Sequence, residues 1–420
     1  MAATTSWIRV GWRNIGRNPR RTALTSGGLA VGYFAVVFMT GWTGGINEEL
    51  IENATSLVGG QIEIHDGEYL PDRSLYDTIG GRGGVDVDAL LAAVDSDPGV
   101  AASAPRVFAG GLVSSGESTS AVVLLGVDVA RETRVSRFLN RLKDGRTPIQ
   151  GASEFVLGAE TARQLAVETG DEVVLVAPGA DGSLANGLYT LAGVFETGLT
   201  ELDNGLAVMP ITDLQEFIVL PENRIHEIAV AALKPAEADA AATRLEAMLV
   251  EFATGIDAAP WTELHPAVVD YVGLSESVHW IILAIVFTIA VFGVANTMLL
   301  ATFERRREFA VMLALGAPPL AIAGAVVTEA LAIGVVSLAA GALFTYPLMI
   351  WWHIAPPDLS WLYGSTTLAG VLITPSLRIA YDVSTWFSAT AVLLLTTVLA
   401  ALYPALRVAM ISPADTLSGL

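Results

Sequence analysis

The chain contains no cysteine, and only two lysines, Lys143 and Lys234, among 420 residues. Without cysteine there is no disulfide, no thiol nucleophile and no thiolate site for zinc or an iron–sulfur cluster. The compartment must therefore be read from topology. The shortage of lysine excludes more. A phosphate-binding loop needs G-x-x-x-x-G-K-[ST], because its lysine must reach the β- and γ-phosphates. Neither lysine follows a glycine, so the chain is not a P-loop ATPase. Other catalytic patterns are missing too. His226-Glu227 has no second histidine at helical spacing, no G-x-S-x-G elbow occurs, and the acids lack calcium-loop spacing. The five histidines (65, 226, 265, 279 and 353) are scattered and read as structural. No enzyme and no metal site is expected.

Charge is scarce as well. Only 16% of residues are charged and 53% are hydrophobic, whereas about a quarter of a soluble protein is charged. The net charge of −20 has the wrong sign for nucleic acid, and the apolar content is too high for an acidic disordered chain. The composition is that of a membrane protein with a large acidic soluble part. A spanning helix needs roughly 20 apolar residues, and four stretches qualify, near 23–42, 278–302, 320–352 and 387–406. Basic residues set the orientation. Arg9, Arg13, Arg17, Arg20 and Arg21 precede the first span, Arg305, Arg306 and Arg307 lie between the second and third, and Arg407 follows the fourth. With four spans all of these fall on one side, which is then cytoplasmic, with both termini. Residues 45–277 hold 13 basic and 37 acidic residues and fall on the other side. The first span is too long for a signal-peptide core and is followed by no clear cleavage site, so it reads as an uncleaved anchor. Before it, Trp7, Ile8, Trp12 and Ile15 interleave with Arg9, Arg13 and Arg17, the pattern of a helix lying in the headgroup layer.

The fold class expected is a polytopic α-helical membrane protein with four transmembrane helices and a large mixed α+β extracytoplasmic domain inserted between helices one and two. Its divisions fall at 1–44, 45–276 and 277–420. In the inserted domain, period-two alternation or short apolar runs predict strands at 61–65, 120–127, 170–177, 188–195, 206–209 and 225–233. Helices are expected at 160–167, 212–219 and 236–252, and a mobile loop at 71–84. Helical pattern from residue 263 runs on into span two as a stalk.

Four motifs then bear a resemblance. Trp12-Arg13-Asn14-Ile15 with Arg17-Asn18-Pro19-Arg20-Arg21-Thr22, Glu304-Arg305-Arg306-Arg307-Glu308-Phe309 with Leu315-Gly316-Ala317, Glu329 with Gly334 and Gly341, and Tyr403-Pro404-Ala405-Leu406-Arg407 with Ser412–Leu417 together resemble the permease subunits of ABC transporters in the FtsX/macrolide-exporter (type VII, mechanotransmission) superfamily. Within it, Gly60-Gln61-Ile62-Glu63-Ile64-His65 and Thr197-Gly198 through Asp203 look like the lipoprotein-releasing branch. The C-terminal signature departs slightly, with Asp415-Thr416 where Glu-Ala is usual.

The resemblance implies roles. Residues 303–319 correspond to a coupling helix that inserts into a groove on a separate ATPase subunit, which alone carries ATP and Mg. Glu304, Arg305, Arg306, Arg307 and Glu308 supply charge, Phe309, Met312 and Leu315 apolar knobs, and Gly316 and Ala317 the turn; read from the residues alone, an ordinary basic loop serves equally. Two permease chains, identical or not, form the complex, and cargo leaves the membrane's outer leaflet sideways between spans one and two. Candidate liners of that space, or of a dimer interface, are Gly28, Gly32, Tyr33, Phe34, Phe38, Trp42, Phe287 and Phe292. The spacings Gly28-x-x-x-Gly32 and Gly41-x-x-x-Gly45 allow close helix approach, between chains or within one. Asn296 and Glu329 are the notable polar groups inside spans, and Glu329 reads as a structural carboxylate before a proton relay. The expected function is release of lipoproteins or similar amphiphiles, with membrane lipid and a periplasmic chaperone as further partners. Efflux of a small amphiphile or peptide with an adaptor, or non-transporting control of a cell-wall hydrolase, are the alternatives.

Overall fold

The computed structural model describes residues 19–56, 59–80, 84–116, 118–362, 364, 366–368, 371–381 and 383–417. The expected interfacial helix before the first span lies outside them. Four helices are long and apolar enough to cross a membrane: span one Pro19–Ser56, span two Pro266–Glu304, span three Pro319–Ile354 and span four Val383–Ala409. The chain divides into two compact units. One comprises residues up to Glu48 with Val272–Gly364 and Pro375–Leu420; the other comprises Glu49–Tyr271 with Ser365–Thr374.

In the span unit, three helices pack tightly. Tyr33 of span one meets Tyr346 of span three, with hydroxyls 2.6 Å apart, and Thr390 of span four at 3.2 Å. Phe34, Phe38 and Trp42 form a ladder against Phe344 and Trp352. Span one also takes the segment before span four against its glycines. A Cβ on Gly45 would stand 2.2 Å from the Arg378 carbonyl oxygen, and Ala380 donates its N–H to the Gly41 carbonyl at 2.8 Å. The Gly41/Gly45 pair therefore serves packing within the chain. Gly45→Ala forces that backbone aside, a misfit of about 1–3 kcal/mol, and is expected to lower the thermal midpoint of the solubilised protein while Gly28→Ala, in open space, leaves it unchanged. Span two packs least: Trp280, Ile281, Ile285, Ile289 and Phe292 are all exposed.

The other unit is built on one ten-stranded mixed sheet of order β10-β1-β9-β2-β3-β8-β5-β7-β4, with β6 pairing β2 and β7. The strands are β1 Ile62–Asp66, β2 Val100–Ser115, β3 Ser118–Val127, β4 Leu142–Gly145, β5 Glu154–Gly158, β6 Glu172–Pro178, β7 Leu184–Phe195, β8 Leu206–Pro210, β9 Glu227–Ala232 and β10 Ile256–Pro260. β3–β8 and β5–β7 are parallel and the other pairs antiparallel. The expected strands and helices are all present. The helices Val87–Asp95 and Val129–Val135, each capped by an aspartate (Asp86 and Asp128) accepting two backbone N–H groups, pack on β2. Within the expected loop at 71–84, Ile79 exchanges backbone hydrogen bonds with Ile225 at 2.8 and 3.2 Å.

A hairpin of β11 Thr366–Leu368 and β12 Val371–Ile373, which lies between spans three and four in sequence and was expected with the transmembrane region, groups with the sheet unit. It is tied there by polar bonds. Asn53 donates to the Leu372 carbonyl at 2.7 Å, and Glu49 Oε1 accepts from Thr374 N at 2.9 Å and from its hydroxyl at 2.5 Å. The Thr197-Gly198 segment completes the seat. Asp203 accepts from Thr197 N and Oγ1, both at 2.8 Å, and from Gly198 N at 2.9 Å, and Leu372 lies against Gly198.

Candidate functional site

Spans one, two and four line an open cavity of about 700 Å³. Its walls follow helical spacing. Span one contributes Leu29, Gly32, Tyr33, Val36, Thr40, Thr43 and Asn47; span two contributes Glu276, His279, Leu283, Phe287 and Ala290; span four contributes Ser388, Val392 and Thr396. The chemistry is graded along the helices. Leu29, Val36, Leu283, Phe287 and Val392 make an apolar depth. Thr43, Asn47, Glu276 and His279 gather at the end where spans one and two continue into the sheet unit. There the Thr40 hydroxyl donates to the Val36 carbonyl at 2.9 Å and stands 3.2 Å from His279 Nε2. With its hydrogen so used, the hydroxyl accepts from His279. Asn47 Oδ1 and His279 Nδ1 are buried and without a hydrogen-bond partner. The cavity is thus an apolar slot with a polar rim.

Of the expected liners, Gly32, Tyr33 and Phe287 face this cavity. Phe34, Phe38 and Trp42 do not; they are committed to the ladder with span three. Phe292 is 70% exposed on the outer side of span two, and Gly28 faces open space. Thr40, Thr43, Asn47 and Glu276 escaped sequence reading and His279 was read as structural, although the spacing of three or four residues along one face was the available signal.

The segment between spans two and three is a short helix, Arg306–Ala314. Its expected apolar knobs divide. Phe309 is only 2% exposed, packed with Val294, Met298, Ile322, Val326 and Ala401, with Met312, Leu313 and Ala317 against the same cluster. Phe309 is thus an anchor and not a docking knob. Val311 and Leu315 are exposed, Leu315 at 83%, beside exposed Glu304, Arg306, Arg307 and Glu308. Gly316 ends the helix at φ +88°, with Gly316 N–H on the Leu313 carbonyl and Ala317 N–H on the Met312 carbonyl, both at 3.0 Å. That left-handed turn suits glycine. Arg305 binds Glu329 of span three at 2.8 Å and Glu308 at 3.2 Å and lies 5.0 Å over the Phe309 ring. Asn296 lies on the exposed side of span two.

In the sheet unit a second cavity, of about 560 Å³, adjoins buried charges. Arg106 is fully enclosed. It forks onto Glu132 (Nε–Oε2 3.1 Å, Nη2–Oε1 2.5 Å) and reaches Glu227 Oε1 at 3.1 Å. The neighbouring carboxylates hold the guanidinium's affinity for its proton above the ordinary arginine range against the opposing effect of burial. Burial, reinforced by Glu63, pushes the Glu227 carboxyl up to about 7.

The model for a MacB-like periplasmic core domain matches residues 22–248, and that for an FtsX-like permease C-terminal region matches 280–413. The chain is a permease of the FtsX-like ABC transporter family. Its sheet unit is accordingly a MacB-like periplasmic domain and its helices lie in the inner membrane. Among relatives, the lipoprotein-releasing system transmembrane protein LolC of Xylella fastidiosa strain Temecula1 is 23% identical over 395 residues, covering 88% of this chain and 90% of that protein. LolC of Neisseria meningitidis serogroup B is 24% identical, over 55% of the chain and 56% of the relative. LolE of Haemophilus influenzae is 25% identical, over 77% and 79%. Among solved structures, the extracellular domain of the noncanonic ABC-type transporter YknZ from Gram-positive bacteria aligns with TM-score 0.34 and 12% identity, over 47% of this chain and 98% of that one. The periplasmic region of MacB from Actinobacillus actinomycetemcomitans gives 0.34 and 13%, over 48% and 90%.

Proposed function

We propose that this permease releases lipoproteins from the outer leaflet of the inner membrane, driven by a separate ATPase subunit that binds ATP and Mg. The observation that carries the reading is the cavity of spans one, two and four. Its apolar depth suits acyl chains, and its rim of Thr43, Asn47, Glu276 and His279 suits the polar segment to which they are joined. Relatives named as lipoprotein-releasing proteins, aligned over most of the chain, support it. In this reading both termini are cytoplasmic and the ATPase docks on Glu304, Arg306, Arg307, Val311, Leu315 and the Gly316 turn. The exposed apolar side of span two, including Phe292, faces lipid or a second permease chain. ATP-driven motion reaches the periplasmic domain through spans one and two and hairpin β11–β12, and a soluble chaperone receives the cargo.

The test is reconstitution in proteoliposomes with the ATPase subunit, a lipoprotein and a soluble acceptor. Val36→Trp and Leu283→Trp fill the apolar slot and are expected to cut ATP-dependent release about tenfold or more, the effect of about 1.4 kcal/mol of misfit, with the ATPase still bound. ATP hydrolysis with no lipoprotein released under any condition overturns the reading. It would leave export of a small amphiphile through an adaptor, the alternative favoured by a MacB-like domain. Gly316→Val places a β-branched residue at positive φ, costing about 1–2 kcal/mol. The expected result is weaker ATPase binding in pull-down, with domain stability unchanged.

A further inference from the structure

Ten buried side-chain atoms among the described residues lack a hydrogen-bond partner, and four of them belong to one cluster: Glu63 Oε2, His65 Nε2, Tyr69 Oη and Glu227 Oε2. Glu63 and His65 share a face of β1, and His65 stands opposite Glu227 of β9 in register. The Tyr69 ring centroid is 6.0 Å from that of His65. Buried polar atoms are almost always satisfied, so such a concentration calls for an occupant.

The kind of occupant follows from counting hydrogens. His65 Nδ1 lies 2.9 Å from the Asp66 carbonyl. A carbonyl only accepts, so Nδ1 carries the hydrogen and Nε2 of the neutral ring is an acceptor. With both carboxylates ionised, the cluster has three open acceptors and one donor, the Tyr69 hydroxyl. It is short of hydrogens. The surroundings do not supply them. Arg106 of β2 donates to Glu132, from the helix Val129–Val135, and to Glu227 Oε1, and not to the four open atoms. Arg73, from the turn after β1, stands 3.5 Å from Glu63 Oε2, outside hydrogen-bond geometry. His226 accepts from Phe108 N and faces the Leu75 carbonyl with Nε2, so both its nitrogens are used. His265, preceding span two, is held below its ordinary value by burial and then by Arg73. No three His, Asp or Glu side chains among the described residues converge as metal ligands. The four atoms are closed to solvent, which bars a bulky cation and admits a proton.

We propose that the folded periplasmic domain takes up one proton at the Glu63–His65–Tyr69–Glu227 cluster, carried by Glu227, and that this proton sets the rigidity of the joint where the domain meets the chain segments leading to the membrane. The joint is the adjoining 560 Å³ chamber. Its lining includes Asn53 and Ala54 from the continuation of span one, Pro266 and Val268 from the start of span two, and Thr367 and Val371 from hairpin β11–β12. Glu63 and Glu227 line the same space. A protonated Glu227 gains a hydroxyl to donate and relieves its repulsion with Glu63; an ionised one keeps that repulsion. The sign follows from the raised carboxyl. Between its ordinary value of 4.5 and about 7, the folded state holds a proton that the unfolded state has lost. Stability is therefore complete at the acid end of that window and falls as pH rises through it.

The experiment uses the full chain in nanodiscs. Thermal midpoints are recorded across that pH window for the wild type, Glu227→Gln and Glu63→Gln, with infrared difference spectra of glutamate-labelled protein. The wild type should lose stability as pH rises and should show a protonated-carboxyl band that disappears toward the alkaline end. Glu227→Gln, a neutral mimic of the protonated form, should flatten the dependence and abolish the band. Should Glu227→Gln fail to fold, the wild-type band and a midpoint curve for Glu63→Gln displaced to lower pH carry the test. A wild-type spectrum without the band, or identical curves for all three proteins, overturns the proposal. So does a rise in midpoint with methylguanidinium that Glu227→Gln removes, which would assign the cluster to a cation.

Discussion

Arg106→Ala is expected to destabilise the periplasmic domain by about 3–5 kcal/mol, the cost of stripping the partner from buried charges. For a domain of this size that is a fall in thermal midpoint on the order of 10 °C. The reason is the company Arg106 keeps. It is 1% exposed, and the two carboxylates that it holds, Glu132 and Glu227, are 0% and 1% exposed. Glu132 also accepts from the Ser136 hydroxyl at 2.6 Å, which does not replace a guanidinium. Arg106→Lys recovers little, because an ammonium cannot reproduce the two-pronged bond to Glu132. The decisive variant is the triple Arg106→Met, Glu132→Gln, Glu227→Gln, which removes every charge of the network together. It should regain more than half of the loss, since a buried ion pair contributes little over well-packed neutral groups and its damage comes from being halved. Thermal unfolding followed by the near-ultraviolet signal distinguishes these cases. A single variant as stable as the wild type would show that the network bears no load in the domain.

What could be read in the sequence follows the clarity of its periodicity. The four spans were visible because each is a long apolar run. β1, β3, β6, β7, β8 and β9 were visible as alternation or short apolar runs bounded by turn residues. The longest strand, β2, was not. Pro105, Gly110 and Gly111 interrupt it, and such residues ordinarily end a strand; here Pro105 pairs with Ile228 inside a wide sheet. Hairpin β11–β12 was hidden because it sits in a short linker between spans, and Glu49 and Asn53, which bond it, lie more than three hundred residues earlier in the chain. The branch motifs could be quoted before they could be explained. Asp203 proves to pin the Thr197-Gly198 turn that receives Leu372.

The site was legible in residue type more than in direction. Aromatics along span one were candidates for a cargo path, yet Phe34 and Phe38 meet span three and Trp42 stacks on Phe38, while the less conspicuous Val36, Thr40 and Asn47 line the cavity. Hydropathy gives the length of a span and not its facing, which depends on partners far away in sequence. The buried cluster of the periplasmic domain was invisible for the same reason. His65, Glu63 and Glu227 read as scattered polar residues until β1 and β9 pair, and only the register puts an imidazole opposite a carboxylate.

Arg305→Ala is the second large expected effect, and it separates two readings of Glu329. The carboxylate is 15% exposed on an apolar helix, and Arg305 meets it at 2.8 Å from the segment that joins spans two and three. Arg305 also covers Phe309, the residue that anchors that segment in the apolar cluster. Removing the guanidinium takes the counter-charge from Glu329 and the lid from Phe309, a local loss of about 2 kcal/mol, below the fully buried case because both partners keep some exposure. The segment should loosen, so ATP hydrolysis continues while release per ATP falls several-fold. Glu329→Gln keeps a hydrogen-bonding group of the same shape and should retain most of the release. The double variant Arg305→Met, Glu329→Leu, with apolar groups in both places, should recover much of what Arg305→Ala loses. A proton relay predicts the opposite ranking: Glu329→Gln inactive, and the double variant inactive with it. Release per ATP in proteoliposomes, measured for the four proteins side by side, decides between a carboxylate that fastens the helix Arg306–Ala314 to span three and one that carries protons.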